Sequence, residues 1–306
     1  SITSNNGKLQ NQGLEFELGF RIIDGKDWKW NVNANGAYNI NKIIELPNNG
    51  LERNRQNAFQ VYTGKGLVVD YDRLILATGS KPFVPPIPGS DLKGVLSFRD
   101  IYDVNTMLDY CKTWKNAVVI GGGLLGLEAA YGLKQQGMNV TVLHLMDRIM
   151  DRQLDSKASQ MLKTAIEQKG ITILTAANTE CLFGEEGHVT QVKLKDGTVL
   201  DADLVVFAVG IRPNMALAQS AGLRCNRGVL VNDTMQTFDP SIYAVGECIE
   251  HRGQTFGLVE PLWGQAFICA SHLAEHGSLT FKAPTVPTQL KVSGCDVFSA
   301  GDFEPK

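Results

Sequence analysis

The stretch that decides the fold is residues 118–130, Val-Val-Ile-Gly-Gly-Gly-Leu-Leu-Gly-Leu-Glu-Ala-Ala. An apolar run ends at Gly121, and an Ala- and Leu-rich helical segment begins at Leu124. Gly121, Gly123 and Gly126 fit the pattern G-x-G-x-x-G. In that pattern the first glycine permits a tight turn, the second admits a pyrophosphate, and the third lets helix and strand pack closely. The stretch therefore predicts a dinucleotide bound at the amino end of the helix, where free N–H groups favour phosphate.

The residue expected to bind the adenosine ribose is less clear. An acidic residue usually ends the next strand, about 20 residues downstream. Here His144 follows that strand, 23 residues after Gly121 (144 − 121). A histidine cannot accept two hydroxyl hydrogen bonds as a carboxylate does. A protonated His144 with Arg148 would favour a 2′-phosphate, whereas Asp147 would serve the ribose hydroxyls, and His144 as a solvent-facing strand end is a third alternative. The choice between NADH and NADPH stays open on these residues.

Strand and helix patterns alternate on both sides of the glycine turn. Such alternation predicts an α/β fold in which a parallel sheet is covered by helices. The expected strands are Ala117–Ile120, Val140–Leu145, Ile171–Leu174, Val189–Leu194, Leu200–Ala202 and Leu204–Val209, and the expected helices are Leu124–Gln136 and Ser156–Lys169.

Composition excludes several other classes of protein. The 306 residues suffice for two domains or two plus a fragment. A net charge of −3 gives no basic footprint for nucleic acid or an anionic membrane. The sequence has no apolar run of about 18 residues, so no transmembrane helix is expected. The amino-terminal residues lack the basic-then-apolar layout of a signal peptide. Six scattered cysteines without a C-x-x-C pair favour free thiols in a reducing cytoplasm.

Residues 1–50 have a different pattern from the rest of the chain. Apolar and polar residues alternate over 14–21 and again over 28–35, around a turn signal at Asp24–Asp27, which predicts a β-hairpin. One alternative is the edge of a soluble sheet. The other is a fragment similar to the barrel strands of TonB-dependent outer-membrane receptors, a resemblance carried mainly by Gly7–Leu18. A lone hairpin cannot close a barrel.

Four motifs in order resemble the pyridine nucleotide–disulfide oxidoreductase family of flavoproteins across residues 60–306. They are Tyr71–Ser80, Gly121–Glu128, Val205–Asn214 and Thr237–Cys248. The resemblance is narrower to the NAD(P)H- and FAD-binding part of the nitrite reductase large subunit. Glu247 supports this branch, because most of the wider family has Asp at that position.

The resemblance implies two cofactors, FAD and NAD(P)H with NADH slightly favoured, and hydride transfer from nicotinamide to flavin without a catalytic acid–base pair. It implies that Ala77, Thr78, Gly79, Gly246 and Glu247 contact FAD. The expected NAD(P)H residues are Gly121, Gly122, Gly123, Leu124, Leu125, Gly126, Glu128, His144, Arg148, Val209 and Gly210. Two Cys/His pairs, Cys248 with His251 and Cys269 with His272, have a spacing that is common by chance, and no metal site is predicted.

The resemblance also implies the domain organisation. A Rossmann-like NAD(P)-binding domain at 101–232 is inserted in a partial FAD-binding domain at 51–100 and 233–280, with residues 281–306 entering a truncated interface domain. The glycine fingerprint that normally binds the ADP half of FAD is missing, and so are the siroheme and Fe–S modules of nitrite reductases. We therefore expect weakened FAD binding, no nitrite reduction by this chain alone, and a chimera joined near residues 50–58, whether a natural fusion or an assembly artefact.

Three functions follow as hypotheses. The first is an oxidoreductase of nitrate assimilation that passes electrons from NAD(P)H through FAD to an acceptor protein or domain. The second is a remnant that binds NAD(H) without turnover. The third is an outer-membrane fragment, which rests on residues 1–50 alone. For residues 60–306 we expect a cytoplasmic location without nucleic-acid or membrane partners, and a homodimer is left open.

Overall fold

The computed structural model describes the backbone of residues 8–24 and 29–45 and the full residues 71–275, 277, 279–292 and 295–301. The chain divides into two compact units, Ser1–Asp72 and Arg73–Lys306.

The first unit contains a long antiparallel hairpin. Strand β1 covers Lys8–Asp24 and strand β2 covers Lys29–Glu45, with Phe16 opposite Gly36. The predicted hairpin is thereby confirmed, because alternating apolar and polar residues suit an extended chain whose side chains point to opposite faces. The sequence also predicts short β-runs at 60–63 and 67–69, and these lie outside the described residues.

The second unit carries the remaining elements. Its first strands and those of the central sheet are β3 Leu74–Leu76, β4 Ser80–Pro82, β5 Val95–Ser97, β6 Asn116–Ile120, β7 Asn139–Leu143, β8 Ile171–Leu174, β9 Thr179–Glu185, β10 His188–Leu194, β11 Val199–Asp201 and β12 Leu204–Phe207. The later strands are β13 Ile211–Pro213, β14 Val229–Val231, β15 Ile242–Ala244, β16 Ile249–His251, β17 Gln254–Thr255, β18 Thr288–Val292 and β19 Cys295–Ser299. The helices are α1 Ile101–Thr113, α2 Leu124–Gln135, α3 Ser156–Glu167, α4 Ala216–Ser220 and α5 Val259–Leu273. Among the helices of the described residues, none has the length and apolar character needed to cross a bilayer.

A five-stranded parallel sheet forms the centre of this unit, in the order β5-β12-β6-β7-β8. Helix α2 connects β6 to β7 and helix α3 connects β7 to β8, so the predicted Rossmann-like arrangement is confirmed. Val119, Val142 and Val206 in the middle strands are fully buried. The edge strand β5 precedes residue 101, so the parallel sheet extends beyond the predicted NAD segment.

Two predicted strands are shorter than expected. Strand β7 ends at Leu143 instead of residue 145, because the carbonyl of His144 leaves the ladder and accepts from the N–H of Ala177. Strand β12 ends at Phe207 instead of residue 209, after which the N–H of Ala208 donates to Ile120 beside the glycine turn. Both strands therefore stop at the edge of the sheet where Gly121 begins its turn.

Smaller sheets surround the central one. A parallel pair joins β3 to β15, an antiparallel pair joins β4 to β13, and β14-β16-β17 form a three-stranded sheet. Strands β9, β10 and β11 form an antiparallel sheet, and β18 pairs with β19. This last hairpin buries Leu290, Val292 and Cys295 in the same core as helix α2.

Candidate functional site

The glycine turn after β6 brings strand and helix into close contact. Gly121 adopts φ +126°, and its N–H donates to Leu143 O at 2.8 Å. A Cβ at Gly121 would lie 2.3 Å from Ala208 O, and a Cβ at Gly126 would lie 1.8 Å from Gly121 O. Both positions therefore require glycine, as expected for a dinucleotide-binding turn.

The start of helix α2 offers an open site for an anion. Gly123 is the N-cap, no side chain caps the helix, and the first turn holds no acidic residue. A Cβ added at Gly123 would meet no atom within 4 Å. The N–H groups of Leu124 and Leu125 belong to the first turn, which has no intrahelical acceptors. The backbone present here fits a pyrophosphate, which would accept these hydrogen bonds and interact favourably with the helix dipole.

The structure places His144 against this turn. Its Nδ1 accepts from the N–H of Gly122 at 3.0 Å, and its Nε2 lies 3.0 Å from Asp151 Oδ1. The side chain is 12% exposed, so the alternative of a solvent-facing strand end is wrong. Both ring nitrogens already have partners within the protein, which leaves no ring atom for a ribose hydroxyl.

The loop after His144 carries the other charged candidates. The Asp147 side chain is 76% exposed and lies 3.8 Å from Arg148 Nη1. The buried Nε of Arg148 has no hydrogen-bond partner. The exposed Asp147 carboxylate is therefore open to a nucleotide, whereas the Nε of Arg148 is buried and its guanidinium lies at ion-pair distance from Asp147.

The remaining predicted NAD residues lie at the same edge of the sheet. Val209 and Gly210 follow β12, whose last residue Phe207 pairs with Ile120 just before the turn. Apolar side chains are exposed along this edge: Leu125, Leu145, Met146 and Val209. Glu128 lies further along α2, where its Oε1 accepts from the N–H of Lys291 at 3.1 Å.

The predicted FAD residues come together beside this edge. Thr78 Oγ1 donates to Asn214 O at 2.6 Å, and the N–H of Asn214 donates to Gly79 O at 2.9 Å. The N–H of Val245 donates to Leu76 O at 3.0 Å, so the loop at Ala77 lies next to the loop at Gly246. Three of the four sequence motifs are thus joined by hydrogen bonds.

Glu247 is held on one side of its carboxylate. Ser80 Oγ donates to its Oε2 at 2.7 Å, and Arg99 Nη2 contacts the same oxygen at 2.5 Å. In the described part of the chain no donor contacts Oε1. The Glu247 side chain is 13% exposed, which suits a carboxylate that accepts from a bound hydroxyl group.

Sequence reasoning missed the residues that position this carboxylate. Arg99 lies in none of the four motifs and reaches Glu247 from the segment between β5 and α1. Gln265 is fully buried in α5, and its Oε1 accepts from the N–H of Gly246 at 2.8 Å. Its Nε2 is a buried donor without a partner. Residue type gives no signal for either role, because the contacts span 148 and 19 residues of sequence.

A clasp of charged groups joins Asp233 to His251 and Arg252. Arg252 contacts both oxygens of Asp233, at 2.9 and 2.6 Å, and buried His251 contacts Oδ1 at 2.8 Å. These hydrogen bonds lower the pKa of Asp233 to about 2. The backbone of Asp233 also accepts from Phe281, whose ring meets the edge of His251. The clasp fixes the segment that leads to β18.

The structure assigns the predicted Cys/His pairs to other contacts. His251 is bonded to Asp233, and His272 Nδ1 lies 2.9 Å from the Tyr243 hydroxyl. All six cysteines are free thiols. Across residues 71–301, as far as they are described, no three metal-ligating side chains come together. An open cleft of about 400 Å³ lies before α5 and is lined in part by Leu258 and Pro261, with none of the predicted coenzyme residues.

Comparison with known proteins gives close relatives. The chain is 47% identical over 295 residues to a nitrite reductase [NAD(P)H] of Bacillus subtilis, which covers 96% of this chain and 36% of that protein. It is 46% identical to an assimilatory nitrate reductase electron transfer subunit of the same organism, covering 92% of this chain and 35% of that protein. The chain therefore spans about a third of the length of these curated relatives.

A solved structure shares the fold. The ferredoxin reductase for the CYP199A2 system from Rhodopseudomonas palustris has a TM-score of 0.70 and 29% identity, covering 75% of this chain and 58% of that chain.

A family model for pyridine nucleotide-disulphide oxidoreductases matches residues 31–265. This match and the alignment with the B. subtilis reductase both include part of residues 1–50 and continue across residues 50–58. The join expected near residues 50–58 stays a prediction. The family implies FAD and NAD(P)H binding. From the glycine turn, the motif loops and these matches together, the chain belongs to the pyridine nucleotide-disulphide oxidoreductase family.

Proposed function

We propose that this chain transfers a hydride from NAD(P)H to bound FAD and delivers the electrons to an acceptor protein or domain. The observation that carries the proposal is the direct link between the proposed NAD(P)H-binding loop and the proposed FAD-binding loops. The segment after β12, which carries the proposed NAD(P)H residues Val209 and Gly210, continues directly into β13. Strand β13 pairs with β4, and the N–H of Phe83 donates to Gly210 O at 2.9 Å.

The residues present fit the roles that the reaction needs. The N–H groups at the start of α2 would bind the coenzyme pyrophosphate. Glu247 would accept a hydroxyl hydrogen bond of FAD through Oε1, since Ser80 and Arg99 hold Oε2. FAD, when bound, supplies the hydride-accepting ring, so the protein has only to orient the two ligands and exclude water. No acid–base pair is required of this chain.

We propose NADH as the preferred coenzyme. The exposed carboxylate of Asp147 can accept from ribose hydroxyls and would repel a 2′-phosphate. Arg148 acts in the opposite direction, so the preference is small. Equilibrium titration with each reduced coenzyme measures it, and tighter binding of NADPH would overturn this part of the proposal.

The proposal for the electron acceptor rests on the chemistry of the reaction and on the names of the relatives. One relative bears the name of an electron transfer subunit and others are named nitrite reductases. We propose an electron-accepting protein or domain of nitrate or nitrite assimilation in the cytoplasm, where six free thiols suit the reducing conditions. Nitrite reduction itself is proposed to need modules outside these residues.

A visible absorption spectrum of the purified full chain tests the proposal. Flavin bands near one per chain that bleach on anaerobic addition of NADH are expected. The second candidate function, an NAD(H)-binding remnant, is favoured by one observation: in the described residues only Gly121–Gly126 forms a G-x-G-x-x-G turn. Colourless protein that does not take up added FAD but still binds NADH would select this second function.

A further inference from the structure

The residue after β7 has a different task from the one that its position in a dinucleotide-binding fold suggests. We propose that His144 is a positioning residue, which holds the peptide of Gly122 and thereby shapes the pyrophosphate loop, and that it is not a ligand of the ribose. The inference rests on the proposed function, since it assumes that the glycine turn binds NAD(P)H.

Segment 144–151 holds Gly122 from both sides. The N–H of Gly122 donates to His144 Nδ1 at 3.0 Å, and Gly122 O accepts from the N–H of Met150 at 2.9 Å. Met150 reaches this position with φ +48°, an unusual value for a residue with a side chain. Both backbone groups of the middle glycine are thus occupied, which leaves the following N–H groups to bind phosphate.

Contact between the ring and the turn is also steric. A Cβ at Gly122 would lie 2.9 Å from His144 Cγ and 3.0 Å from Ile149 Cγ2. The imidazole therefore packs directly on the backbone of the turn. This close packing explains why a third glycine stands between Gly121 and Gly123, a position at which the fingerprint itself sets no requirement.

Asp151 selects the tautomer of the ring. Because the Gly122 N–H donates to Nδ1, that nitrogen must be an acceptor and the proton must lie on Nε2. Nε2 then donates to Asp151 Oδ1 at 3.0 Å. The chain Asp151–His144–Gly122 transmits the orientation of one carboxylate to the peptide next to the phosphate site.

Two amide variants separate the ring nitrogens. In His144→Asn the side-chain oxygen can take the place of Nδ1 and accept from Gly122. In His144→Gln the longer amide can reach Asp151 but leaves the Gly122 N–H without an acceptor. We expect His144→Asn to bind NADH within about threefold of wild type and His144→Gln to bind about tenfold or more weakly.

The measurements are the NADH dissociation constant of the full chain by calorimetry and, with FAD added, steady-state reduction of an artificial acceptor. For His144→Gln we expect a higher KM for NADH with little change in kcat, because the lost contact orients the coenzyme before and during transfer alike. A ribose ligand would give the opposite ranking, or equal losses in both variants, and either result would overturn the inference.

A third variant covers the case in which His144→Gln fails to fold. Asp151→Ala removes the acceptor of Nε2 and should raise the NADH dissociation constant about threefold. No change in Asp151→Ala would overturn the inference. Absence of NADH binding by folded wild type would overturn the proposed function together with this inference, whereas normal wild-type binding with the wrong variant ranking would overturn the inference alone.

Discussion

Two regions of the second unit, which we propose to bind NAD(P)H and FAD and call the NAD region and the flavin region, are built differently. The NAD region, residues 95–231, rests on five parallel strands whose middle residues, such as Val119 and Val206, are fully buried. The flavin region, residues 74–82 and 233–275, has the two-stranded parallel pair β3–β15 and loops held by hydrogen bonds between distant segments, such as those between Thr78 and Asn214.

This difference separates two ways of fixing a binding loop. In the NAD region the glycine turn is positioned by the close packing of strand against helix together with the hydrogen bonds of Gly121 and Gly122 to neighbouring segments. In the flavin region Glu247 is positioned by side chains from distant segments, Ser80 and Arg99. Close packing fixes many atoms at once. A single side-chain hydrogen bond fixes one group and contributes about 1–3 kcal/mol to stability. We therefore expect the proposed NAD site to be more rigid than the proposed flavin site.

Breaking the packing at the turn should give the largest effect. Gly126→Val places side-chain atoms where a Cβ is already 1.8 Å from Gly121 O, so strand and helix must separate. We expect NADH binding to weaken by about 100-fold or more, with a lower melting temperature. Isothermal calorimetry and thermal melts measure both.

Gly132→Ala is the matched control for this prediction. Gly132 is exposed on the same helix, and an added Cβ meets nothing within 4 Å. The substitution should stabilise the protein by about 0.5–1 kcal/mol and leave NADH binding as it is. Normal NADH affinity in Gly126→Val would show that the turn does not bind the coenzyme.

Removing the carboxylate of the flavin region should give the next largest effect. Glu247→Ala deletes the group that Ser80 and Arg99 hold, so FAD affinity should fall about 10- to 100-fold while NADH affinity stays within about twofold. Flavin fluorescence and NADH titration of one preparation measure the two affinities. Glu185→Ala, an exposed acid at the end of β9, is the control. A parallel loss of NADH affinity would break the distinction between the two regions.

One chemical change made in each region tests whether they unfold separately. Ile173→Val in β8 and Ile242→Val in β15 each remove one buried methylene, at a cost of about 0.5–1.5 kcal/mol. We expect each substitution to reduce amide protection in its own region only, and NADH to restore protection around β8. Hydrogen exchange measured by mass spectrometry gives the result. If either substitution lowers protection in both regions, they form one cooperative unit.

The smallest effect is expected at the clasp of Asp233. Its pKa is lowered from 3.8 to about 2 by Arg252 and His251, so the ionised carboxylate favours the folded state. This contribution is complete above about pH 5 and is lost as the pH falls through about 2, because the carboxyl group is then protonated in both states. Asp233→Asn should therefore lower the melting temperature slightly at pH 7, and the difference from wild type should shrink steadily below pH 4 and be mostly lost at pH 2.

Asp109→Asn is the control, since Asp109 pairs with Lys112 on an exposed helix face. A difference between wild type and Asp233→Asn that stays constant down to pH 2 would contradict the lowered pKa.

Much of the NAD region was predictable from local sequence. Strand β8 was predicted with its observed bounds, Ile171–Leu174, and helix α2 was predicted to within one residue at its end. Both have strong periodic patterns and clear boundaries. The ends of β7 and β12 were predicted two residues too long, because apolar residues continue past the point where the chain turns away from the sheet.

The sequence by itself determined the parallel sheet, the glycine turn and the set of motif loops, since these depend on residue type at short spacing. Only the tertiary structure decided that His144 packs on Gly122, that Arg99 reaches Glu247, and that Gln265 holds Gly246. These contacts join segments that are far apart in the chain or face one another across a turn. Their geometry is set by how the strands and helices pack, and that packing is a property of the whole unit.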